Sequence, residues 1–255
     1  MKRLVVTADD FGLTDGVCAG IVRAMEGGIV TATSVMVCVP GVEERVCPWR
    51  KRIAGRAGLH LQLTEGRPCA DPAEVPSLVD SEGKFRSSFA DLRSLDPYDI
   101  EREWDAQLER LRSMGIEPTH LDTHHHVHRN ASVFESYMRI AVKHRLPVRT
   151  GSRVVTSQLR KAGVRSADYC EAGWFGGDLS PAGFAALARS AFALLRDAGT
   201  VEIVCHPAYP DAELSERSRY TTERLVELET LTSAEVGQLL RDAGISLTKN
   251  ELLGT

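Results

Sequence analysis

Residues 3–12, RLVVTADDFG, set a pattern that the rest of the chain repeats. RLVVTA is a short apolar run of the kind that forms a strand buried in a sheet. It runs directly into an acidic pair, Asp9 and Asp10, and then into a helical pattern. That helix begins near Thr14 or Asp15, carries Val17, Ile21 and Ala24 on one face, and ends at Gly27-Gly28. A strand, an acidic turn and an amphipathic helix make one βα unit.

Further units follow. IVTATSVMVCV (29–39) predicts a second strand and GLHLQLT (58–64) a third. Residues 65–95 are rich in Pro, Asp, Ser and Gly and read as a long excursion. Asp96-Pro97 caps a helix whose buried stripe is Ile100, Trp104, Leu108, Leu111 and Met114, with Gly115 as its stop. PTHLDTHH (118–125) predicts a strand, 131–145 a helix and LPVRT (146–150) a short strand. Ser180-Pro181 opens a helix with Phe184, Leu187, Ala191, Leu194 and Leu195 inward, closed by Gly199, and VEIVCHP (201–207) is the next strand. Thr232 and Glu235 have the spacing of a capping box, and Gly244 ends that helix before ISLTK. The alternation predicts α/β architecture in a single domain spanning 1–255, with a mostly parallel sheet that is either a barrel or doubly wound.

A chain of 255 residues buries a core large enough to need no disulfide or structural metal. Net charge is −4 with no polybasic block, which argues against nucleic acid or an anionic membrane as partner. No apolar run is long enough for a membrane span, and MKRLVVTADD reaches acidic residues too soon for a signal peptide. The six cysteines form no CxxC pair and read as reduced thiols, mostly small core residues. A cytoplasmic location is therefore expected, with a homodimer as the default assembly.

In parallel α/β folds the C-terminal ends of the strands share one face, where active sites form. Here four predicted strands each deliver an acid or an imidazole to that face: Asp9-Asp10, His60, the run HLDTHHHVH (120–128), and His206. Individually these are weak signals. An acidic pair also suits a solvated turn, and a histidine flanked by leucines, such as His60, also suits a satisfied core position. The run is different, because it holds five of the eight histidines, and unpaired imidazoles near a core cost desolvation without improving packing. If the strand continued, His120, Asp122, His124, His126 and His128 would share one side, with His125 opposite. Two imidazoles and a carboxylate with open positions suit a divalent hydrolytic metal. Arg149, at the end of LPVRT, points to the same face, where it either orients a base, contacts a ligand or forms a structural ion pair.

TADDFGLT, GLHLQLTEGRP, PTHLDTHHHVH, VEIVCHPAY and ERLVELETLTSAEV resemble, in order from residue 3 to about 247, the motifs of the YdjC-like carbohydrate deacetylases, the family of chito-oligosaccharide deacetylase. The resemblance implies an irregular (β/α) barrel of the glycoside hydrolase/deacetylase type, binding one divalent metal ion, Mg²⁺ or Zn²⁺. It implies Asp10, His60 and His124 as metal ligands, Asp9 as general base and His206 as general acid. The implied reaction removes the N-acetyl group from an amino sugar or short oligosaccharide. Asp122 and His120 would then fix ring orientation, and His126 and His128 would line the pocket. Trp174 and Phe175, in AGWFGG, suit either a sugar-stacking platform or ordinary packing. Residues 65–95 and 151–180 carry no recognised motif. The rivals are hydrolysis of another amide, ester or phosphoester, or metal or sugar binding without turnover. A phosphoesterase would be expected to carry a glycine-rich or Arg/Lys phosphate cradle, and none stands out.

Overall fold

In the computed structural model, which describes residues 1–86 and 91–249, strands and helices alternate along the chain. In order they are β1 (Lys2–Phe11), α1 (Asp15–Gly27), β2 (Ala32–Val35), α2 (Val42–Val46), α3 (Arg50–Ile53), β3 (Ala57–Leu61) and α4 (Pro97–Ser113). There follow β4 (Leu121–Thr123), α5 (Ala131–His144), α6 (Arg153–Lys161), β5 (Tyr169–Glu171), α7 (Pro181–Leu194) and β6 (Gly199–Cys205). The described chain closes with α8 (Ala212–Arg217), α9 (Thr222–Thr232), α10 (Ala234–Asp242) and β7 (Ile245–Leu247).

Among the described residues these strands all pair in parallel, in the order β4-β3-β2-β1-β6-β5, with β7 beside the first residues of β1. Beyond β4 the sheet is continued by a bridge from Leu121 to Val148, whose N–H in turn donates to the carbonyl of Arg165. The sheet thus curls into a half-barrel with helices around it, the irregular barrel expected from the sequence. The central strand explains why: Leu4, Val5, Val6 and Ala8 of β1 are all fully buried, so both faces of the strand must be covered.

The helix signals act as the sequence indicates. The Thr14 hydroxyl accepts from Val17 N–H, the Asp96 carboxylate from Tyr98 N–H, and the Ser180 hydroxyl from Gly183 N–H, each satisfying a donor that the first turn leaves unpaired. Gly115, at φ +77°, takes the left-handed position after α4.

Several expectations need correction. The strand expected over 29–39 is only Ala32–Val35, although its flanks are buried. LPVRT contributes a single bridge at Val148 rather than a strand. The cap of α10 is Ser233, whose hydroxyl accepts from Val236 N–H, so Thr232 and Glu235 do not form a capping box. Leu194 is 52% exposed because α7 ends there and the chain turns outward through Arg196 and Asp197, both at positive φ. Residues 151–180, blank in sequence, hold α6 and β5, and β5 becomes the sheet's far edge.

Candidate active site

The C-terminal ends of β1, β3, β4 and β6 converge on a cavity of about 540 Å³, a size suited to a small ligand. At the end of β1 the register with β2 shifts between Ala8 and Phe11, and Asp10 adopts φ +69°. This irregularity gives both carboxylates of the acidic pair to the cavity, where each is buried.

The histidine run does not continue as a strand. Chain pairing stops at Thr123, and His124–Arg129 form a kinked 3₁₀ segment with His125 and His126 in left-handed conformation. The shared face expected for His120, Asp122, His124, His126 and His128 therefore breaks up. His124 turns into the cavity beside His60. His125 also reaches the cavity, its Nδ1 2.9 Å from the Thr64 hydroxyl. His128 is buried against Tyr137, with Nδ1 2.6 Å from the Thr123 hydroxyl, while half-buried His126 lines the wall. His120 lies behind the site, its ring packed over Gly58 and bonded to the Thr119 hydroxyl, so it orients neither His60 nor His124. Asp122 does orient a ring, that of His60.

At the centre, Asp10 Oδ1, His60 Nε2 and His124 Nδ1 form a triangle with sides of 3.6, 3.4 and 3.3 Å. Each imidazole is backed by a carboxylate: His60 Nδ1 lies 2.7 Å from Asp122 Oδ1, and His124 Nε2 lies 3.0 Å from Glu65 Oε2. If each outer nitrogen donates its proton outward, both inner nitrogens present lone pairs beside a carboxylate oxygen. Three acceptors so close together call for a cation. Ligands about 2.1 Å from one tetrahedral ion stand ~3.4 Å apart, so the donor set fits a divalent metal. Without such an ion a proton takes its place: burial opposes charge on His124, but its bonds to Asp10 and Glu65 raise its pKa to about 9.

Asp9 is held differently. Its carboxylate accepts two 2.7 Å bonds from Arg149 Nη1 and Nη2, and one of 3.3 Å from the Ser34 hydroxyl. Arg149, 1% exposed, also pairs with Asp122 at 2.7 Å and Glu202 at 3.0 Å. Burial, the largest influence on Asp9, would raise its pKa, yet Arg149 and His60 together outweigh it and keep the carboxyl ionised below its ordinary range. For Asp10, burial is likewise overcome by Arg224, whose Nη2 donates at 2.8 Å to Oδ2, and by His124.

His206 follows β6. Its backbone N–H donates to Glu227 at 2.5 Å, while its buried Nδ1 has no hydrogen-bond partner among the described residues. Burial and the nearby Arg224 lower its pKa to about 4, against the pull of Asp10 and Asp9, so the ring is neutral at pH 7. Phe175, 52% exposed, stacks on Tyr220 at 4.0 Å and meets the His206 ring edge-on at 5.3 Å. Trp174 by contrast is buried against Phe184 with its indole N–H on the Asp178 carbonyl, so it packs the core and only Phe175 faces the cavity.

Sequence reasoning thus assembled Asp9, Asp10, His60, His124 and His206, with Asp122 and Arg149 behind them. It assigned no role to Glu65, Arg224 and Glu227. Glu65 directly follows the third predicted strand, a position that periodicity does not mark. Arg224 and Glu227 lie on α9, in the stretch ERLVELETLTSAEV, which entered only as part of the resemblance and with no residue role attached.

The family model described as YdjC-like protein matches residues 3–242. A carbohydrate deacetylase of Brevibacillus brevis is 36% identical over 253 residues, covering 99% of this chain and all of the relative. A chitooligosaccharide deacetylase of Serratia marcescens is 34% identical, covering 96% and 97% of the two chains. Among solved structures, an Enterococcus faecalis protein described as a candidate for cellobiose-phosphate cleavage superposes with a TM-score of 0.85 at 31% identity, covering 98% of each chain.

Proposed function

The chain belongs to the YdjC-like family, and from that premise and the geometry of its site we propose that it is a metal-dependent hydrolase removing the acetyl group from an N-acetylated amino sugar or short oligosaccharide. One observation carries the reading: the Asp10, His60 and His124 triangle, with an ionised carboxylate, Asp9, beside it and an imidazole, His206, lining the same cavity. The full-length relatives named as carbohydrate and chitooligosaccharide deacetylases support the substrate class.

Asp10, His60 and His124 would hold one divalent ion, magnesium or zinc. Such an ion supplies Lewis-acid polarisation of the acyl oxygen and makes water more acidic. The rest falls to the chain's own side chains. Asp9 takes the proton of the attacking water; Arg149 holds the carboxylate in one orientation and keeps it ionised. Asp122 fixes the His60 ring and Glu65 the His124 ring, keeping one nitrogen of each turned inward. His206 gives a proton to the departing amine. Since its ring is neutral in the free protein, it must first gain that proton during the reaction. Phe175 offers an apolar face at the cavity for a sugar ring.

The test is acetate release from diacetylchitobiose and from N-acetylglucosamine, with Asp9→Asn in parallel. Wild-type protein with magnesium or zinc releases acetate from at least one sugar. Asp9→Asn still binds the ion, but turnover drops roughly 10²- to 10⁴-fold, the usual contribution of a positioned base. No acetate from either sugar, or an Asp9→Asn variant as fast as wild type, would refute the reading.

A further inference from the structure

Away from the proposed reaction, two thiols face each other where the excursion after β3 crosses the end of β2. Cys38 Sγ and Cys69 Sγ are 3.7 Å apart. We infer that Cys38 and Cys69 are a modification site, a dithiol pair that a hydroperoxide converts to an intramolecular disulfide. The inference is independent of the function proposed above.

The pair is framed from both sides. Cys38 N–H donates to Gln62 Oε1 at 3.0 Å, and Cys69 N–H donates to Glu103 Oε1 at 2.9 Å. Gln107 links the two anchors, donating to the Gln62 carbonyl and to Glu103, both at 2.8 Å. Between them, Gly66 runs so close that a Cβ there would fall 2.2 Å from the Cys38 carbonyl oxygen. These bonds hold the two backbones beside each other, and the sulfurs have to close from 3.7 Å to the ~2.0 Å of a bond.

A metal is the other use for such a cluster, since Glu103 also lies within reach. Its carboxylate, however, already accepts from Cys69 N–H, Ala70 N–H and the Gln107 amide. With most of its lone pairs occupied, Glu103 makes a poor third ligand, which favours the bond between the two sulfurs.

The two thiols are unequal in the way disulfide chemistry needs. Cys69 is partly exposed, its pKa lowered by the Cys38 thiol with Arg110 alongside, whereas burial raises that of Cys38. The Cys69 thiolate attacks the peroxide, the O–O bond breaks, and Cys69 becomes a sulfenic acid as the departing hydroxide takes a proton to form water. Cys38 then displaces the sulfenic oxygen, which leaves with the Cys38 proton as a second water. Two thiols have lost two electrons and the peroxide has gained them. Gln62 also donates through Nε2 to the Glu65 carbonyl at 3.0 Å, so the bond would form one side chain away from the residue that backs His124.

The experiment uses a Cys47→Ser background, which removes the exposed thiol, treated with one equivalent of hydrogen peroxide at neutral pH. The expected product is a monomer lighter by two hydrogens, with the Cys38 and Cys69 peptides joined in the digest and separated again by dithiothreitol. Adding Cys38→Ser should abolish the joined peptide while its unfolding temperature shows the chain still folds. Peroxide-treated protein in which both thiols still react with an alkylating agent, or in which Cys69 proceeds to sulfinic acid unlinked, would overturn the inference. A bond from either residue to a different cysteine would do so equally.

Discussion

Glu65 tests the idea that carboxylates tune the site from behind. Its contact with His124 Nε2 parallels that of Asp122 with His60 Nδ1, but only Glu65 sits on the excursion outside the sheet. The lowered pKa of Glu65 comes first from that bond, against a smaller opposing effect of burial. Glu65→Ala frees the His124 ring to rotate and removes a negative charge beside it. Divalent-ion affinity should fall roughly 10- to 100-fold, the usual effect of losing an outer partner of a ligating histidine. Titration calorimetry on the stripped protein measures it, with turnover near wild type once the ion is saturating. An affinity equal to wild type would mean that Glu65 acts on something other than His124.

At the scale of elements, α1 shows how a distant helix holds the loop that carries His206. Gly20, in its buried face, lies so close to the segment after β6 that a Cβ would fall 2.5 Å from the Cα of Ala208. Alanine gains about 1 kcal/mol over glycine in helix propensity. Overpacking against backbone costs about 1–3 kcal/mol, and here the obstacle is not a flexible side chain. Gly20→Ala should therefore lower the unfolding temperature, and by shifting Ala208 it should disturb His206 two residues earlier and reduce turnover. An unchanged melting curve would show that α1 simply slides away. The same local view explains what the sequence disclosed. Strand-helix alternation marks β1, α1, α4, α5 and β6 because each buries a continuous stripe or run. β5 and the Val148 bridge are too short for a period, and their place is fixed only by neighbours distant in sequence. The histidine run misleads for a related reason. Alternation assumes an extended chain, but left-handed His125 and His126 turn it, bringing His124 to Asp10 and His60 while carrying His128 back to Tyr137.

For the whole molecule, acid is the revealing variable. His120 and His128 are each 1% exposed and uncharged in the fold; burial lowers His120 to about 4 and holds His128 well below its ordinary value. An unfolded histidine titrates near 6.5, so below that pH the unfolded chain binds protons that the fold refuses. Their stability contribution is complete above pH 6.5 and is lost progressively as pH falls towards 4. For His120 alone a drop from 6.5 to about 4 corresponds to about 3 kcal/mol. Metal-stripped protein should show the same acid limb in denaturant unfolding, and His120→Gln should flatten part of it; an acid limb that vanishes with the metal would assign the effect to ligand protonation instead. Metal also decides the central claim, that one cation held by Asp10, His60 and His124 enables deacetylation. The most direct measurement is acetate release from diacetylchitobiose as stripped protein is titrated with zinc or magnesium. Activity should rise from near zero and level off at one ion per chain, with no rise for His124→Ala. Full activity in verifiably stripped protein, or in His124→Ala, would contradict it.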